Sequence, residues 1–233
     1  MRDLKSQLAV VLVVCISLAL GACASGAQTG PDDAGGPMTL LPRTIPAGID
    51  PTEGSGPSCE IVGRSFDDDV RVPKGAVCSF TDVTIEGNLI VANGANVTYS
   101  GGHVDGNVLV YPTASFTAGG SSIGGNVQSE RAASVSLEDA SIEGSVQSER
   151  TAKTVVIGGF VNGNIQPDDG GSVLFDGVSV NGDVQPFDNR GGVTITDNVI
   201  GGNLQCKGNQ PAPTGGGNVV HGNAEDQCEG LAD

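Results

Sequence analysis

The stretch that says most about the fold is residues 123–150, which read IGGNVQSERAASVSLEDASIEGSVQSER. One pattern occurs twice in it, because Val-Gln-Ser-Glu-Arg stands at 127–131 and again at 146–150. Before each copy come a glycine and a small polar residue, and an aliphatic residue stands two positions before the glycine. Aliphatic residues at alternate positions are typical of β-strands, so each copy predicts short strands that meet at a corner.

The same triplet of glycine, small polar residue and aliphatic residue recurs along the chain. Its glycines are Gly87, Gly106, Gly125, Gly144, Gly163, Gly182, Gly202 and Gly222. The spacing between them is constant over the first five steps and one residue longer over the last two. Such regular recurrence indicates a repeat architecture in which one unit follows another along an axis.

A unit of this length can bury its inward side chains only against the units before and after it. The sequence therefore predicts an all-β fold, a single-stranded parallel β-helix (solenoid) of about 19 residues per coil and roughly nine coils. Left-handed hexapeptide helices keep a strict period, whereas the period of this chain lengthens by one residue after Gly182. We therefore expect a right-handed coil.

The residue after each repeat glycine is asparagine in six of the eight triplets. In a coiled chain these residues form a column, and their side-chain amides can hydrogen-bond along the axis as a ladder. A second interpretation, compatible with the first, is that asparagine tolerates a left-handed corner at this position.

Four cysteines fall into two pairs at the ends of the repeat. Cys59 and Cys78 are one full period apart and so share a column, whereas Cys206 and Cys228 are slightly more than one period apart and lie on adjacent coils. Neighbouring coils lie about 4.8 Å apart, which is within the Cα distance that a disulfide accepts. We predict two disulfides that cap the two ends. The alternative, zinc, lacks Cys-x-x-Cys spacing, so no metal is predicted.

The N-terminal segment has the layout of an export signal. Residues 1–22 contain the charged residues Arg2 and Lys5, then an apolar run that is too short to span a bilayer, then small residues. The residues Leu20-Gly21-Ala22-Cys23 resemble the lipobox of bacterial lipoproteins. The resemblance implies that Cys23 is lipidated and anchors an exported protein to the cell membrane or outer membrane, with its domain facing the periplasm or exterior.

Residues 23–58 are rich in Gly, Pro, Ser, Thr and Asp and are predicted to be a disordered tether, followed by the β-helix domain at 59–233. The formal net charge of the chain is −16. Such acidity repels phosphate backbones, so nucleic acid is not an expected partner. No Ser-His-Asp constellation, phosphate loop or nucleotide motif is present, and no cofactor is predicted.

One column of surface carboxylates is the candidate site. Glu130, Glu149 and Asp168 occupy equivalent positions in three successive units. They could serve a glycosidase or a polysaccharide lyase as a line of carboxylates. Alternatively, they form a solvated corner where Arg131 and Arg150 relieve like-charge stacking. The small number of aromatic residues favours the solvated corner.

The Gly-Asn/Asp-aliphatic corners resemble those of bactofilins, the polymer-forming β-helical proteins of bacteria, over about residues 68–224. This resemblance implies a self-assembling scaffold. Bactofilins are cytoplasmic and usually lack the export signal and paired cysteines found here. We therefore expect a membrane-tethered, non-catalytic structural or interaction lipoprotein of the cell envelope, with an envelope protein or glycan as partner. A polysaccharide-active enzyme and a bactofilin-like self-assembling element are the alternatives.

Overall fold

The computed structural model describes residues 57–233, so the predicted signal segment, Cys23 and the tether up to residue 56 lie outside the described residues. Residues 57–233 form 26 strands, numbered β1–β26 in chain order, and no helix. The first strand begins at Ser58, one residue before the predicted domain boundary.

The strands build three parallel sheets. Sheet I contains β1 Ser58–Val62, β4 Val77–Thr81, β7 Asn96–Ser100, β10 Ser115–Gly119, β13 Ser134–Glu138, β16 Lys153–Ile157, β19 Ser172–Asp176, β21 Val193–Thr196 and β24 Thr214–Gly216. Sheet II contains β2 Ser65–Phe66, β5 Thr84–Ile85, β8 His103–Val104, β11 Ser122–Ile123, β14 Ser141–Ile142, β17 Phe160–Val161, β20 Ser179–Val180, β22 Val199–Ile200 and β25 Val219–Val220.

Sheet III contains β3 Val70–Val72, β6 Leu89–Val91, β9 Val108–Val110, β12 Val127–Glu130, β15 Val146–Glu149 and β18 Ile165–Asp168. The pair β23 Leu204–Cys206 and β26 Ala224–Asp226 continues it, because bridges at Val184 connect Ile165 with Leu204.

Partner residues are one repeat apart throughout. Val127 pairs with Val146, and in the longer coils near the C-terminal end Val173 pairs with Val193. Nine strands in sheet I correspond to nine coils. The predicted all-β fold is confirmed as a parallel β-helix with a period of about 19 residues per coil. The handedness of the coil stays a prediction.

Alternating side chains fill the interior of the coil. In β7, Val97 and Tyr99 are buried, whereas Asn96, Thr98 and Ser100 face outward. Each inward residue stacks on its equivalent in the next coil, as Phe80 does on Tyr99 with ring centroids 5.9 Å apart. Burying a side chain of this size contributes roughly 1.5–3 kcal/mol, and the column repeats it coil after coil.

The repeat glycines lie at the corner between sheets II and III, where successive coils come closest. A Cβ atom added to Gly144 would lie 2.6 Å from the carbonyl oxygen of Gly125, and the other members of the column are equally crowded. None of the eight has a positive φ. These positions therefore require glycine because the coils approach closely, and not because the backbone turns left-handed.

The predicted asparagine ladder is present beside this corner. The backbone and side-chain N–H groups of Asn107 donate to Asn88 Oδ1 at 2.8 and 3.1 Å, and Asn126 donates likewise to Asn107. The interpretation of these residues as left-handed corners is wrong, because no asparagine in residues 57–233 has a positive φ. One left-handed corner lies between sheets I and II, at Gly63, Asp82, Gly101, Gly120, Asp139, Gly158, Gly177, Asp197 and Gly217. A second follows sheet III, at Gly75, Gly94, Thr113, Arg131, Arg150, Asp169, Asp188, Gly208 and Asp226.

Both ends of the coil carry the predicted disulfides. The Cα atoms of Cys59 and Cys78 are 4.5 Å apart, and those of Cys206 and Cys228 are 5.3 Å apart. At the C-terminal end the last residues also fold over the final coil, where Leu231 packs against the core. Its carbonyl oxygen accepts a hydrogen bond of 2.8 Å from the buried amide of Asn218. The end of the last coil is therefore covered around Asn218.

Candidate functional site

The outward face of sheet III carries a row of glutamines, which we call the amide row: Gln128, Gln147, Gln166, Gln185 and Gln205. Each Nε2 donates to the Oε1 of the next glutamine, at successive distances of 3.0, 3.2, 2.7 and 2.6 Å. Gln205 ends the row by donating to Glu225 at 2.7 Å. The bonds fix the amides in one orientation, so the row is organised before any ligand arrives.

The three predicted carboxylates form a second row on the same face. Glu130 lies directly opposite Glu149, and Glu149 lies opposite Asp168. This arrangement follows from the strand period, because Val127 and Ser129 point into the coil while Gln128 and Glu130 point out. The structure therefore brings together the three carboxylates that the sequence aligned.

Two arginines neutralise much of the carboxylate row. Arg150 forms ion pairs with both Glu149 and Glu130, the second at 3.3 Å, and Arg131 pairs with Glu130 at 3.0 Å. About half of each glutamate side chain stays exposed. Asp168 has no ion pair within the described part of the chain. The solvated-corner interpretation thus accounts for the two glutamates and leaves Asp168 without a cation.

Asp168 lies among other acids. Partial burial raises the pKa of its carboxyl above the ordinary value of 3.8, and the charges of Asp188, Asp169 and Glu149 raise that pKa further. A hydrogen bond from the backbone N–H of Asp169 acts in the opposite direction. The carboxyl remains exposed to water, so screening keeps these effects small.

Two aromatic side chains close the ends of the carboxylate row, and sequence reasoning did not place either of them there. Tyr111 follows Val110, which pairs with Ser129, so it lies opposite Glu130 at one end. Phe187 bridges to Asp168 at the other end. Four strand spacings separate the two rings, a span of roughly 19 Å. Tyr111 is 42% exposed and Phe187 is half-buried, so both rings can contact a ligand.

The first four glutamines of the amide row, the carboxylate row and the two aromatic residues line one shallow groove of about 570 Å³ along the axis of the coil. The groove is open to solvent and offers amides, carboxylates and ring surfaces, and two guanidinium groups pair with its glutamates. No cluster of three or more His, Cys, Asp or Glu side chains in residues 57–233 is placed to hold a metal ion. Such a surface can bind a long polar ligand by hydrogen bonds and ring contacts.

The unpaired charge of Asp168 predicts a pH-dependent stability. Because its pKa is raised in the folded state, the protonated carboxyl favours folding fully below pH 3.8, and this advantage is lost as the pH rises through the folded-state pKa. We expect Asp168→Asn to raise the melting temperature by up to about 3 °C at pH 7 and to leave it unchanged below pH 3.8.

Thermal unfolding followed by circular dichroism at several pH values measures this effect. Glu130→Gln is the matched control, because it removes a carboxylate that is paired with two arginines and should not stabilise the fold. A melting temperature for Asp168→Asn at or below that of the wild type at pH 7 would contradict the assignment of repulsion to Asp168.

The remaining predicted residues lie away from the groove. The four paired cysteines are at the ends of the coil, and the repeat glycines are at the corner between sheets II and III. No helix among the described residues could cross a membrane.

Comparisons of the chain with protein-family models, with curated proteins and with solved structures found no match.

Proposed function

We propose that the protein is a non-catalytic, lipid-anchored interaction module of the bacterial cell envelope, and that the groove on sheet III is its binding surface. The observation that carries this proposal is the hydrogen-bonded amide row beside the carboxylate row on a rigid, disulfide-closed scaffold. Fixed polar groups on regular strands bind ligands with a reduced ordering cost.

The anchor rests on Leu20-Gly21-Ala22-Cys23, which resembles a lipobox. Two disulfides support an oxidising, exported location, because cytosolic thiols are kept reduced. Lipidation at Cys23 would leave the β-helix outside the cytoplasm and attached to a membrane.

A second candidate function is polysaccharide cleavage, favoured by the raised pKa of Asp168 beside Glu149. Glycoside hydrolysis uses a pair of neighbouring carboxyl groups, and Asp168 lies directly opposite Glu149. The ion pair between Glu149 and Arg150 and the open shape of the groove favour binding over cleavage. Sugar hydrolysis that disappears in both Asp168→Asn and Glu149→Gln would establish this alternative.

Self-assembly end to end has less support. The last residues lie over the C-terminal coil at Asn218, where Leu231 packs against the core, and they obstruct part of the end face on which another chain would have to add. The bactofilin resemblance therefore supports the type of coil rather than polymer formation.

The anchor is tested with the full chain expressed in a bacterium. We expect the wild-type protein to stay with the membrane fraction after a high-salt wash, and Cys23→Ala to be released into the soluble fraction. Cys15→Ala is the matched control, since it removes a cysteine of the same segment without touching the lipobox. Membrane retention of Cys23→Ala equal to that of the wild type would refute lipid anchoring.

The binding surface is tested by placing a photoreactive residue either at Gln147, in the groove, or at Thr98, on the outward face of sheet I. We expect envelope material to be cross-linked from position 147 and not from position 98. Equal cross-linking from the two faces would show that the groove is not the binding surface.

A further inference from the structure

The amide row has unused hydrogen-bonding capacity. A glutamine side chain has two N–H donors and an oxygen that accepts two hydrogen bonds. Within the row, Gln147 and Gln166 each use one donor and one acceptor site on their neighbours. Each coil therefore keeps one free donor and one free acceptor, repeated at about 4.8 Å along the groove. A ligand that fits must present both donors and acceptors in every short repeat.

The aromatic residues at the two ends of the groove set a second requirement for the ligand. Tyr111 and Phe187 lie in one row with three carboxylate positions between them. A ligand that reaches both is at least about 19 Å long and has flat, weakly polar faces at that spacing. The C–H face of a sugar ring meets this requirement, and its edge carries hydroxyls that both donate and accept hydrogen bonds.

The charges around the groove distinguish an uncharged glycan from a charged polymer as its ligand. Arg131 and Arg150 balance Glu130 and Glu149, and Asp168 adds one unbalanced negative charge with Asp169 and Asp188 beside it. A polyanionic chain is repelled by these acids. A polycationic peptide meets glutamates that are already paired with the two arginines, so the groove suits neither.

We propose that the groove binds a single extended chain of an uncharged polysaccharide, aligned with the axis of the coil. Its outer sugar rings lie against Tyr111 and Phe187, and its hydroxyls exchange hydrogen bonds with Gln128, Gln147 and Gln166. The inference rests on the proposed function, because it names the ligand class of the same groove.

The test is calorimetric titration of the full-length lipoprotein in detergent with cellohexaose, xylohexaose and N-acetylated chitohexaose. We expect at least one of these neutral hexasaccharides to bind and its disaccharide to bind at least about tenfold more weakly, because a disaccharide cannot reach both rings. Hexagalacturonate, a polyanion, is expected not to bind.

Substitutions locate the site. We expect Tyr111→Ala and Phe187→Ala each to weaken hexasaccharide binding by about fivefold or more. The matched control is Phe160→Ala, which removes a half-buried phenyl ring from the outward face of sheet II and should change binding by less than about twofold. Circular dichroism of each variant verifies that the coil is intact.

Three results would overturn the inference: no binding of any neutral hexasaccharide, binding that is insensitive to both groove substitutions, or tighter binding of hexalysine than of every sugar. The proposed function fails separately. If position 147 still cross-links envelope material while no sugar binds, the groove remains the binding surface and only the ligand class is wrong.

Discussion

Gly144→Ala is expected to destabilise the coil by about 3 kcal/mol, which lowers the melting temperature by roughly 6–12 °C. The added Cβ atom would lie 2.6 Å from the carbonyl oxygen of Gly125 and 2.6 Å from Asn126 Oδ1. Neither atom is free to move. The carbonyl oxygen accepts the N–H of Gly144 at 3.1 Å, and Asn126 Oδ1 accepts the N–H of Ser145 at 2.8 Å. The methyl group therefore forces two coils apart and breaks these hydrogen bonds.

The matched control is Gly119→Ala, in β10. Nothing lies within 4 Å of a Cβ atom added there, and its φ is not positive. Alanine at this position lowers the conformational entropy of the unfolded chain. We therefore expect the stability to stay unchanged or to rise by up to about 1 kcal/mol. Thermal and urea unfolding of the two variants give the comparison. Equal stability of Gly144→Ala and Gly119→Ala would mean that close approach is not why the repeat uses glycine.

The register of the coil could be predicted from the sequence because one column repeats almost without interruption. If Gly125 and Gly144 are equivalent, residues one period apart are neighbours on adjacent coils. The same spacing makes Cys59 and Cys78 neighbours. The parallel sheets then follow, because only coiling brings such residues together. The period of the repeat is therefore nearly sufficient to predict the register and the parallel sheets.

The reason for each corner residue was harder to predict. Glycine is used both for a left-handed backbone and for close approach, and a sequence does not distinguish the two uses. The left-handed corner between sheets I and II does have a signal, since its column alternates glycine with Asp82, Asp139 and Asp197, and aspartate tolerates that conformation. The left-handed corner that follows sheet III has a weaker signal, because Thr113, Arg131 and Arg150 also adopt a positive φ there. The column of repeat glycines, in contrast, contains no larger residue from Gly87 to Gly222, because the coils approach closely there.

The candidate site was predicted in part. The alignment of Glu130, Glu149 and Asp168 followed from the period, and so did their arginine neighbours. The aromatic ends were not predicted, because a low aromatic content does not indicate where the few outward-facing aromatic residues lie. Tyr111 stands one period before Glu130, and Phe187 stands one period after Asp168, so the signal was present. The direction and bonding of the amide row depend on side-chain geometry, which the period does not specify.

Removing the C-terminal disulfide, by Cys206→Ala with Cys228→Ala, is expected to cost about 3 kcal/mol in the chain-entropy model. The loss should be local, because a terminal coil has a neighbour on one side only. We expect faster hydrogen exchange in residues 204–233 and unchanged protection in the central strand β12, both measured by mass spectrometry. Uniform loss of protection along the coil would contradict this one-dimensional view of its stability.

The N-terminal pair supplies the matched comparison. Cys59→Ala with Cys78→Ala removes a loop of similar length, so the entropic cost is again about 3 kcal/mol. The C-terminal double variant should nevertheless lose more protection. Its disulfide holds the final residues over Asn218, whose buried amide donates to the carbonyl oxygens of Ile195 and Leu231. When that cover loosens, the Asn218 amide loses the bond to Leu231 and water reaches the last buried layer, which adds the cost of an unpaired polar group to the lost entropy.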